Sequence, residues 1–139
     1  MTLLSATKAQ AYCTTLTKKS GSNFYYSFLF LPRKRRAAMY TIYAFCKEVD
    51  NAVDDPPAGS NPSKELQRWW DELEAAYHGT PTFPVTISLA HHVRELSIPQ
   101  AYFEELIKGM GMDLSASRYA SMQDLSLYCY RVASVVGLI

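Results

Sequence analysis

From Pro32 to the Pro56-Pro57 pair the chain reads as one long helix, ending at about Asp55, and no other feature constrains the fold as much. Proline suits the first turn of a helix, where its missing N–H has no intrahelical acceptor in any case, and two successive prolines cannot continue one. At 1.5 Å per residue the element is about 33 Å long, enough to cross a whole domain, so the remaining segments have to pack around it. Ala38, Ile42, Phe45, Val49 and Val53 fall on one buried stripe, and Tyr43, Lys47, Asp50 and Asp54 make a second, polar row.

The rest of the chain has the same helical period and almost no strand-like alternation, which predicts an all-α fold. A first helix is expected from about Ser5 to Lys19, broken by Ser20-Gly21-Ser22-Asn23 before the aromatic stretch Phe24 to Phe28; the break is a candidate ligand loop. Asn61 is the expected N-cap of a helix over 62–78, with Leu66, Trp69 or Trp70, Leu73 and Tyr77 inward and Gly79 as its stop. Further helices follow Pro84 and Pro99, the latter ending near Gly109. Ser121 and Asp124 have capping-box spacing for a last helix carrying Leu125, Tyr128, Val132 and Val136. That helix is still apolar at Ile139, with no closing turn, so the chain is expected to be part of a longer one, residues 1–139 forming the N-terminal portion of a single all-helical domain.

Composition narrows the function. A chain of 139 residues with 48% hydrophobic and 19% charged residues folds around a core and is not a disordered tail. Its 14 basic and 13 acidic residues nearly cancel, leaving no long-range positive field for nucleic acid. Cys13, Cys46 and Cys129 lack the spacing of a zinc site or disulfide framework, and MTLLSATKAQAYC lacks the pattern of a secretory leader, so a cytoplasmic location is expected.

Charge singles out the long helix. Acidic residues are disfavoured at a helix C-terminus by roughly 0.3 to 1 kcal/mol each, and basic residues at the N-terminus likewise. Here Glu48, Asp50, Asp54 and Asp55 crowd the first end and Arg33, Lys34, Arg35 and Arg36 the second. A divalent cation at the acidic end reverses the sign of the effect there, and two carboxylates four residues apart, without His or Cys partners, suit Mg²⁺ carrying waters and a substrate diphosphate. A solvated acidic helix end is the competing reading of the pair.

The stretch SGSNFYYSFLFLPRKRRAAMYTIYAFCKEVDNAVDD, then GMGMDL at 109–114 and YCYRVASVVG at 128–137, resembles the squalene and phytoene synthase family of head-to-head prenyl transferases. FYYSFLFLP and FCKEVD look most like the bacterial presqualene diphosphate synthases of hopanoid biosynthesis. The resemblance implies an isoprenoid-synthase-type helical bundle, of which this is the N-terminal part, and condensation of two farnesyl diphosphates to presqualene diphosphate. It implies that Asp50 and Asp54 are the first aspartate-rich motif, holding Mg²⁺ against the diphosphate, and that Tyr128 faces the reacting carbons. It further implies that Ser22, Tyr43 and Lys47 contact diphosphate and that Phe24, Phe28, Val132 and Val136 line the prenyl tunnel; ordinary core packing is the alternative for those four.

Departures from the family pattern are Lys47 for Arg, Asn51 for Asp, Asn23 for Ser and Ser134 for Gly. The 139 residues hold a single DxxxD, whereas the family uses two, and Asp113 is not the second, so these residues alone are expected to be inactive. A phytoene synthase using geranylgeranyl diphosphate, a catalytically dead scaffold of the same fold and a plain helical interaction module are the rival readings. His91-His92 reads as a surface pair, since adjacent residues point about 100° apart. The basic run 33–36 suits an anionic membrane surface, a possible peripheral contact for an enzyme of lipid synthesis, or simply a solvated helix start.

Overall fold

A computed structural model describes residues 5–19, 26 and 28–112, and every regular element among them is helical. In chain order these are α1 (Ala6–Lys19), a 3-10 turn (Phe28–Phe30), α2 (Arg33–Asp54), α3 (Pro62–His78), α4 (Pro84–Leu96) and α5 (Gln100–Met112). The loop at 20–23 and the expected last helix lie outside the described residues.

Local chemistry accounts for the boundaries. Ser5 Oγ accepts from Lys8 N at 3.2 Å and caps α1. Asn61 caps α3 by accepting from Lys64 N at 3.0 Å, and Pro62 and Pro84 occupy first-turn positions. Two boundaries differ from the sequence expectation. Pro32 is the N-cap of α2, extended at φ −54° and ψ 151°, so the helix starts at Arg33. α5 runs on through Gly109 to Met112, because a glycine within a helix costs only about 1 kcal/mol and does not by itself end one.

α2 is the spine: it packs against α1, α3, α4, α5 and the 3-10 turn. Ala38, Ile42, Phe45 and Val49 are fully buried along its stripe, while Val53, one turn further on, is only half-buried. Phe45 stands at the centre, its ring edge-to-face with Trp69 at 5.5 Å and with Phe103 at 5.4 Å. Trp69 is inward and Trp70 half-buried, and Leu66 and Tyr77 pack at the edge of the core.

Two polar devices lock the helices together. The Glu72 carboxylate on α3 accepts from Thr82 N, Thr82 Oγ1, Phe83 N and Thr86 Oγ1 at 2.6–3.0 Å, pinning the loop before α4 and the first turn of that helix to α3. Burial raises the carboxyl pKa, but these hydrogen bonds outweigh it and the net shift is downward. Glu72→Ala removes the acceptor of Thr82 N and Phe83 N and is expected to destabilise the fold by about 2 kcal/mol, read from urea unfolding; Glu72→Gln, which keeps one acceptor, loses less.

The second device corrects the surface reading of the histidine pair. His91 is exposed and lies 3.4 Å from Glu95, but His92 is 4% exposed, enclosed where α1, α2 and α4 meet. Gln10 Nε2 donates to the Ala37 carbonyl at 3.1 Å, which turns Gln10 Oε1 toward Ser88 Oγ at 3.2 Å and His92 Nε2 at 2.5 Å, so Nε2 carries the ring proton. Thr41 Oγ1 completes the cluster 2.8 Å from Ser88 Oγ, and Cys13 beside it is a buried free thiol pushed up to about 11 by its burial. Burial, and secondarily His91, lower His92 to about 4 from 6.5, with Glu95 acting weakly the other way.

The unfolded chain therefore binds a proton at His92 between pH 6.5 and 4 that the folded chain refuses. Stability rises with pH across that window and is lost as pH falls through it, by up to roughly 3 kcal/mol. Thermal melts at pH 7 and pH 4.5 are expected to show this loss, and His92→Gln to reduce it.

Candidate functional site

Because α2 is clamped on its apolar side by four other helices, the polar row beside that stripe is held in a fixed position. Tyr43, Lys47, Asp50 and Asp54 succeed one another at intervals of four, three and four residues and so lie along one line of the helix. Asp50 is 4% exposed, while Tyr43, Lys47 and Asp54 are half-buried. The two carboxylates sit in the last turns of a 22-residue helix whose final turn contains no basic residue. Placing a carboxylate in that position opposes both its hydration and the negative end of the helix dipole.

Both aspartates take part in further interactions. One oxygen of each, Oδ2, is shielded from solvent and accepts no hydrogen bond. Two oxygen donors about one helical turn apart fit Mg²⁺, which binds few carboxylates and retains water or phosphate oxygens in its other positions. Among the described residues no group of three or more His, Cys, Asp or Glu side chains gathers to form a closed protein-only metal cage.

Lys47 also lines a cavity of about 650 Å³ between α2 and α1, together with Asn51, Lys8, Tyr12 and Lys19. The sequence reading did not assign Lys8, Tyr12 or Lys19 to the site. Their signal was present: residues 8, 12, 15 and 19 recur on one face of α1, which identifies a face but not the element it meets. Tyr12 donates its hydroxyl to Glu48 on α2; burial first and the Glu48 hydrogen bond second push the phenol up to about 12. Glu48 is thus engaged on the α1 side.

The structure brings together the four α2 residues named from the sequence. Phe28 opens the 3-10 turn, its side chain lying outside the described residues. Ser22, Phe24, Tyr128, Val132 and Val136 lie outside them altogether.

The family model for squalene/phytoene synthase matches residues 17–139. The chain belongs to the squalene/phytoene synthase family. Among curated family members, the phytoene synthase of Arthrospira platensis is 36% identical over 135 residues, covering 96% of this chain and 44% of that protein. The chloroplastic phytoene synthase 1 of Arabidopsis thaliana is 36% identical over 126 residues, covering 91% and 30%. This squalene/phytoene synthase chain therefore spans less than half the length of these relatives. Its fold is similar to a dehydrosqualene synthase solved with a ligand, at a TM-score of 0.71 and 28% identity over 96% of this chain and 46% of the other. It is also similar to squalene synthase HpnC from Alicyclobacillus acidocaldarius, at 0.72 and 26% over 89% and 48%. The helices described above are thus those of an isoprenoid-synthase-type fold.

Proposed function

We propose that this chain carries the Mg²⁺-diphosphate half of a head-to-head prenyl transferase active site and forms the N-terminal portion of one all-helical domain. The observation that carries the reading is the buried Asp50 with Asp54 one turn on, in the last turns of a helix whose C-terminal end is acidic and whose final turn contains no basic residue.

Asp50 and Asp54 would hold Mg²⁺, which supplies charge neutralisation for a departing diphosphate. Lys47, on the same row as the two aspartates, adds positive charge for that anion, and Lys8 and Lys19 line with it the cavity between α1 and α2. An ammonium at Lys47 keeps the charge that arginine would bring but not its two-pronged geometry, so it attracts a phosphate without fixing its orientation. The phenol of Tyr43 on the same row is a further donor to a phosphate oxygen. Tyr128 is assigned to the reacting carbons, and Ser22, Phe24, Phe28, Val132 and Val136 to the substrate's head and tail, on the family resemblance. Ionisation of one prenyl diphosphate releases inorganic diphosphate and gives an allylic cation; the double bond of the second attacks it, and loss of a proton from the resulting tertiary cation closes the ring of a cyclopropylcarbinyl diphosphate, while water has to be kept from both cations.

We take the donor to be farnesyl diphosphate and the product presqualene diphosphate, a hopanoid precursor, on the motifs FYYSFLFLP and FCKEVD. The likeness to squalene and dehydrosqualene synthases supports this. The identity to phytoene synthases favours geranylgeranyl diphosphate as the second reading. Extracts of reactions with each donor and Mg²⁺ separate the two. The 139 residues, holding one aspartate-rich clamp, are expected to form no product from either donor. Supplied with a family segment carrying the second clamp, they are expected to yield presqualene diphosphate from the farnesyl donor, whereas product from geranylgeranyl diphosphate alone assigns the phytoene reading.

A further inference from the structure

Glu48 follows Lys47 in sequence, and its carboxylate reaches α1 beside the cavity that Lys8, Lys19 and Lys47 line. Its partner there is none of the three lysines. The hydrogen bond it accepts comes from the hydroxyl of Tyr12, a neutral donor that itself lines the cavity. Among the described residues none of these lysines forms an ion pair.

A hydrogen bond from an ammonium would be the stronger one for a carboxylate, and it would cancel a positive charge at the cavity wall. The phenol satisfies Glu48 without that cancellation. Tyr12 stands four residues after Lys8 and so shares a face of α1 with it. At 42% exposed, its ring lies at the edge of the helix packing and not in the core, so an interior packing role does not explain its hydroxyl.

We propose that Tyr12 is a positioning residue for the diphosphate site: by holding Glu48 against α1 it keeps that carboxylate from neutralising the lysines beside it, and the Lys47 ammonium stays available to an anionic ligand. This rests on the reading of Lys47 as positive charge for a diphosphate held through Mg²⁺. Tyr12 acts through Glu48 and Lys47, and the role requires no contact of its own with the ligand. Released from the phenol, the carboxylate is free to turn toward the cavity and take an ammonium as its partner.

The test is calorimetric titration with farnesyl thiodiphosphate in saturating Mg²⁺ of the parent chain, Tyr12→Phe, Glu48→Asp, and Tyr12→Phe combined with Glu48→Gln. Tyr12→Phe is expected to lower affinity about fivefold, the worth of one partly exposed ion pair. Glu48→Asp, one methylene shorter but still charged, is expected to lose a similar factor with Tyr12 intact. The double variant removes the released charge together with the hydroxyl and is expected to return to within about twofold of the parent. A hydrogen bond that merely ties α1 to α2 would not be rescued in this way, because the double variant lacks the bond as well. Circular dichroism is expected to show the same helicity in all four proteins. Unchanged affinity in Tyr12→Phe, or a double variant as weak as Tyr12→Phe, overturns the positioning role and leaves the diphosphate reading in place. Absence of Mg²⁺-dependent binding by the parent overturns that reading and the positioning role with it.

Discussion

Asp50→Asn is expected to weaken Mg²⁺-dependent uptake of a prenyl diphosphate about a hundredfold while shifting the unfolding free energy by no more than about 1 kcal/mol. The two readouts move apart for a physical reason. The carboxylate is nearly the same size as the amide, so the packing beside Val49 persists, but an amide brings no negative charge to a cation. Asp50 is 4% exposed, and neutralising it removes a desolvation penalty that the unliganded fold has to bear, which offsets the loss of its interactions within the protein. A residue with a purely structural role would show the reverse: lost stability, with ligand affinity following only the fraction unfolded. Isothermal calorimetry with a non-reactive prenyl thiodiphosphate gives the first quantity and urea denaturation the second. Unchanged affinity removes Asp50 from the site.

Phe45→Ala is expected to cost about 3 to 5 kcal/mol, a large share of the stability of a domain this size. Phe45 is fully buried, and its ring is edge-to-face with both Trp69 and Phe103, so truncation leaves a cavity shared by α2, α3 and α5. Trp69 cannot fill it easily, because it is itself held against Phe83 at 5.1 Å and Arg68 lies over the Phe83 ring at 5.4 Å. Urea unfolding is expected to give a much lower midpoint with a similar slope. Phe45→Leu, which retains most of the volume, loses considerably less.

The architecture was legible wherever it depended on neighbours in sequence. Asn61 with Pro62, Pro84, and the proline pair after Asp55 mark helix ends through capping and missing N–H groups, effects that act within one turn. The polar row of α2 was legible for the same reason, since residues four apart share a face wherever the helix lies. What depended on partners distant in the chain was not. His92 was read as a surface residue because its acceptor, Gln10, is 82 positions away and nothing local to α4 signals it. The cavity beside Lys47 needed α1 to be laid against α2, and Lys8 and Lys19 acquired their place only through that contact. Val53 followed the period of the buried stripe but lies past the last layer of core, where period no longer implies burial.

The central claim is that Asp50 and Asp54 take up a diphosphate through Mg²⁺. Its most direct test is calorimetric titration of the chain with farnesyl thiodiphosphate, in saturating Mg²⁺ and again in chelator. The account predicts binding that appears only with Mg²⁺ and disappears when both aspartates are replaced by asparagine. Heat of binding that is the same without the cation, or none at all in its presence, would contradict it.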